Sequence, residues 1–72
     1  MSQPHLLSVV ALLQDMPEKG LRRGQVGTVV EVLGGGACLV EFSDDQGRCY
    51  ALEALPSDLL LQLHHEPAGA AA

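Results

Sequence analysis

Tryptophan is missing from this chain, and its 72 residues hold a single phenylalanine and a single tyrosine. The core must therefore be aliphatic, built from the many Leu, Val and Ala residues. Recognition of proline-rich peptides needs an aromatic-lined groove, which two rings cannot line. Positive charge is also scarce: four Lys and Arg stand against nine Asp and Glu, for a net charge of −5. Affinity for nucleic acid is largely electrostatic, so this balance argues against DNA or RNA as a partner. The two cysteines, Cys38 and Cys49, make neither a C-x-x-C pair nor a disulfide framework. No apolar run approaches the roughly 20 residues that span a bilayer. The N-terminus lacks a basic segment followed by an apolar stretch and a small-residue cleavage site. These absences predict one cytoplasmic domain with reduced thiols, no membrane association and no evident small-molecule substrate.

Glycine and β-branched residues are what the chain does have. Between Pro17 and Leu33, Gly20, Gly24 and Gly27 articulate a polar loop that runs directly into Thr28-Val29-Val30-Glu31-Val32-Leu33. All three glycines are expected to serve chain reversal. In the strand that follows, Thr28, Val30 and Val32 alternate with Val29, Glu31 and Leu33. Glu31 belongs in water, which assigns the Thr28, Val30 and Val32 face to the core.

Four further strands are predicted. Ser8–Leu13 is a short apolar run whose Val9-Val10 pair favours a strand over a marginal short helix. Gly34-Gly35-Gly36 connects the Thr28 strand to Ala37–Phe42, where Cys38, Val40 and Phe42 share a face opposite Glu41. The Gly-rich run precedes a strand and has no Lys-Ser/Thr pair, so it is not a phosphate loop. Ser43-Asp44-Asp45-Gln46-Gly47 is a turn leading into a strand over Arg48–Leu55. Pro56–Leu59 reads as a tight 3₁₀ turn before a last strand, Leu59–His64. The fold class is all-β: a small five-stranded SH3-like barrel over residues 8–64, with a long first loop. Residues 1–7 are expected to be a flexible lead-in and 65–72 a disordered tail. An OB-type barrel would need a helix between strands three and four, for which there is no room.

The order of these signals, Val10-Ala11-Leu12-Leu13, Asp15, Pro17-Glu18, Gly20-Leu21, Gly24 and Gly27-Thr28-Val29-Val30-Glu31, then Val40-Glu41-Phe42, Asp45, Arg48 and Tyr50-Ala51-Leu52, resembles the short bacterial proteins grouped as domain of unknown function 4926. The resemblance covers about residues 6–66. It implies a small stand-alone bacterial protein and no functional residues. More distantly, the Leu21–Val30 pattern is similar to the SH3-like barrel of nitrile hydratase β-subunits and to KOW modules. The latter touch nucleic acid or ribosomal partners through basic loops, a role that would fall here to Lys19, Arg22 and Arg23.

Chemistry-bearing clusters are sparse. Cys49 with His64 or His65 lacks a carboxylate to orient the base, so no catalytic residues are assigned and the chain is read as no enzyme. His64 and His65 are neighbours in a strand and point to opposite faces, so with His5 they do not make a four-ligand zinc site. No metal and no cofactor is implied. If Phe42 pairs with Arg48, Cys38 lies opposite Leu52 and Cys49 opposite Glu41, too far out of register for a disulfide.

What remains is surface. Glu31, Glu41 and Glu53 are expected on outward faces as an acidic stripe, suited to solubility, to edge protection or to a basic partner. With Leu59, Leu61 and Leu63 filling the core, Leu60 falls outside, and with Val29, Leu33 and Leu39 it would build an apolar patch of the kind that marks association, including a homodimer. The reading is a non-catalytic protein-binding module that uses Lys19, Leu21, Arg22, Arg23, Glu31, Glu41, Glu53 and Leu60. Its concrete form is an antitoxin-like, immunity-like or regulatory partner of another protein. The alternative is a KOW-like module that meets nucleic acid or the ribosome through Lys19, Arg22 and Arg23.

Overall fold

A computed structural model describes residues 4–67 of the chain. Five antiparallel strands form one sheet: β1 (Val9–Leu12), β2 (Val26–Leu33), β3 (Ala37–Ser43), β4 (Cys49–Pro56) and β5 (Leu60–Gln62). Their order across the sheet is β4-β3-β2-β1-β5. Two 3₁₀ turns complete the fold, at Pro17–Lys19 in the first loop and at Ser57–Leu59 before β5. There is no α-helix among the described residues.

The connection between the two outermost strands forces the sheet to curl. A flat five-stranded sheet would hold β4 and β5 about 19 Å apart, at about 4.8 Å per strand. The step from Pro56 to Leu60 reaches at most about 14 Å even when fully extended, and here it is wound into a 3₁₀ turn. The curl wraps one face around a single hydrophobic cluster. Val10 and Leu12 from β1, Val29 from β2, Cys38, Val40 and Phe42 from β3, Leu55 from β4 and Leu60 from β5 all pack in it. Cys38, Val40 and Phe42 face inward, as their alternation requires.

The first loop is built rather than loose. Met16 and Leu21 form an isolated antiparallel bridge that closes the Pro17–Lys19 turn. The Asp15 carboxylate accepts a hydrogen bond from the Arg23 N–H at 2.9 Å, and Gln25 Oε1 accepts one from the Arg22 N–H at 2.6 Å. Gly20 and Gly24 sit at φ +70° and +92°, the left-handed region that the reversal demands. Residues 4–7 also lie against the sheet: Pro4 is buried and the Leu7 N–H donates to Val29 O. Of the tail, residues 68–72 lie outside the described residues.

Two bulges reset the register. In β2 the pairing with β3 shifts between Val29 and Glu31. Before that bulge Gly27 and Val29 face the core; Thr28 does not. This corrects the inward face read by counting back from Glu31, because an extra residue inverts the parity. Val29 is fully buried, whereas Val32 is exposed at the far end of the strand. In β3 and β4 the second bulge falls at Phe42/Ser43, so Phe42 pairs with Ala51, Cys38 with Leu55 and Ser43 with Cys49. The expected pairs Phe42–Arg48, Cys38–Leu52 and Cys49–Glu41 do not form. Asp44 widens the turn: its carboxylate accepts from both the Gln46 and the Arg48 N–H groups. Cys38 is buried and Cys49 exposed, and no disulfide joins them.

Candidate interaction surface

The residues singled out from the sequence divide between the two faces. Leu21 is 1% exposed and belongs to the core, so it offers nothing to a partner. The Met16–Leu21 bridge closes the loop, and Leu21 packs in the core cluster with Met16 against it. Leu60 pairs with Leu12 and is likewise buried, while Leu61, opposite Ala11, is the exposed member. The 3₁₀ turn takes up Leu59, so the strand begins one residue later than expected and its faces exchange.

The acidic stripe is also smaller than expected. Glu53 lies opposite Val40, on the core side of β4. Lys19 Nζ reaches it from the first loop at 3.0 Å, which neutralises both charges. Glu31 and Glu41 remain on the outer face. Glu31 lies opposite Leu39, and Glu41, two residues along β3, lies opposite Thr28 on one side and Leu52 on the other. Diagonal neighbours of this kind are about 7–8 Å apart. Neither carboxylate has a hydrogen bond or ion pair among the described residues. Between and beside them sit Leu39, Ala54 and Leu52, the last 53% exposed. The result is an apolar patch rimmed by two unpaired carboxylates, on adjacent strands held rigid by their ladder.

Arg22 and Arg23 are exposed at the tip of the first loop, and their side chains form no ion pair among the described residues. With Lys19 held by Glu53, the expected three-residue basic spot reduces to two cations. Arg48 is occupied by Asp44 at 3.6 Å and by a hydrogen bond to Gln46 Oε1. His64 and His65 are exposed beyond β5, and no group of three or more His, Cys, Asp or Glu side chains is placed to hold a metal among the described residues. Among the described residues no helix is long and apolar enough to cross a membrane.

Leu52, Val26 and Leu61 are surface residues that the sequence alone does not reveal. Their exposure depends on the two bulges and on the strand entry at Leu60, and apolar alternation carries no mark of either.

Neither a curated protein nor a solved structure matches the chain. A family model does match, over residues 6–62, which takes in all five strands and the first loop. On that match the chain belongs to the family described as Domain of unknown function (DUF4926).

Proposed function

We propose that this protein is a non-catalytic module that binds a basic protein through the outer face of β2, β3 and β4. The observation that carries the reading is the placement of Glu31 and Glu41, two unpaired carboxylates flanking Leu39 beside the exposed Leu52. Exposed apolar groups rimmed by charge favour a protein surface of opposite sign. The net charge of −5 adds long-range attraction for a basic partner and speeds encounter. An antitoxin-like or immunity-like role is the concrete form, since a compact acidic protein suits a basic target. A nucleic-acid role would rest on Arg22 and Arg23 alone, because Lys19 is engaged by Glu53. The test is affinity capture from cells of the source organism with the wild-type chain and with Glu31→Lys/Glu41→Lys. A basic protein retained by the wild type, released by salt and lost in the folded double variant supports the reading. The same protein retained equally by both overturns it.

A further inference from the structure

We propose that the outer face of β1 and β5 is the docking site for a second copy of this chain. The inference goes beyond the acidic surface: its apolar row lies on another part of the sheet, and only Glu41 is common to both. β1 (Val-Val-Ala-Leu) and β5 (Leu-Leu-Gln) carry no ionisable side chain, although the chain as a whole stands at −5. Copies of an acidic protein repel one another wherever carboxylates meet, so these two strands are where close approach costs least.

Apolar exposure points the same way. Leu61, Ala11 and Val26 lie directly opposite one another across β5, β1 and β2. Leu61 is 51% exposed and Val26 46%, with the small Ala11 between them. The surface is therefore a continuous apolar row across three strands. Leu13, also exposed and bonded through its N–H to Leu59 O, extends the apolar area by one step. A two-fold contact must use a self-complementary patch, and an apolar row needs no counter-charge to meet itself.

The charges at its two ends complement each other. The Gly24 N–H bonds to Leu12 O, which places the Arg22–Arg23 turn at the Leu12 end of β1. At the Val9 end, Val9 lies opposite Thr28 and Thr28 opposite Glu41. A two-fold axis running across the strands lays the apolar rows against each other. It also turns the arginines of each copy toward Glu41 of the other.

Edge-to-edge pairing, the other route to self-association, is blunted by the fold. β5 offers only three residues. β4 is interrupted by the bulge near its start, ends in Pro56, and has Glu53 tied to Lys19.

Sedimentation equilibrium of the full chain over a wide concentration range tests the proposal. The wild type is expected at twice the 7.6 kDa of one chain. Leu61→Glu and Val26→Lys are expected to weaken the dimer at least tenfold while keeping a dispersed amide NMR spectrum. Arg22→Glu, in an exposed turn that no core contact depends on, is expected to weaken it too, and serves if either strand variant fails to fold. Asp45→Lys, in the exposed turn between β3 and β4, is expected to leave it unchanged. A wild type that is monomeric throughout overturns the proposal, as does a dimer indifferent to Leu61, Val26 and Arg22. A monomer that still binds a basic protein through Glu31 and Glu41 overturns the dimer alone and leaves the partner reading standing.

Discussion

Gly27 presses so closely on Val40 that a Cβ added to it would lie 2.6 Å from Val40 Cγ1. The same atom would meet Glu41 O at 2.9 Å, and a backbone carbonyl in a ladder cannot move aside as a side-chain tip can. Gly27 is thus required for close approach of β2 and β3 and not for chain reversal. Gly27→Ala is expected to destabilise by about 1–3 kcal/mol, the usual cost of overpacking. A thermal melt should show it, at roughly 4–8 °C per kcal/mol for a domain of this size. An unchanged melting temperature would contradict the packing described.

Leu21 and Arg22 are neighbours in one loop with opposite fates. Leu21→Ala removes a buried side chain and is expected to cost about 2–5 kcal/mol. Arg22→Ala, at the exposed tip, is expected to stay within about 0.5 kcal/mol of the wild type. Urea titration of both variants separates a structural loop from a loose one; equal small effects would mean that the loop does not contribute to the core.

The Lys19–Glu53 pair joins the first loop to β4, and both side chains remain about one-third exposed. Solvent screens a pair of this kind, so Lys19→Met is expected to cost less than about 1 kcal/mol. The loss should shrink further in high salt. A much larger loss would mean that the pair holds the loop in place.

Much of the architecture can be read from residue order. Strand count, strand sequence, the inward face of Cys38, Val40 and Phe42, and the 3₁₀ turn before the last strand all follow from alternation and turn chemistry. Val29 and Leu60 show where such reading stops. Each was expected outside and each is buried, because a bulge beyond Val29 and a delayed strand start at Leu60 invert the parity. Both shifts are set by partner strands distant in sequence, which local alternation does not record. Leu21 stops it for another reason: a Leu in a polar, glycine-jointed loop gains its burial only when the Met16 bridge closes. The acidic surface was legible at Glu31 and Glu41. It was not legible at Glu53, whose cation comes from 34 residues away.

Charge reversal on the outer face should leave the fold alone. Glu31 and Glu41 have no ion pair to lose among the described residues, so Glu31→Lys/Glu41→Lys is expected to unfold within about 0.5 kcal/mol of the wild type. A chemical denaturation curve checks this, and a marked loss would mean that the carboxylates are structural.

Amide NMR mapping of the captured partner on the isotope-labelled chain tests the binding surface most directly. The largest shift changes are expected at Glu31, Leu39, Glu41, Leu52 and Ala54, with little change at His64 and His65. Changes centred instead on the Arg22–Arg23 turn, or spread evenly over the sheet, would contradict a docking surface on the outer face of β2, β3 and β4.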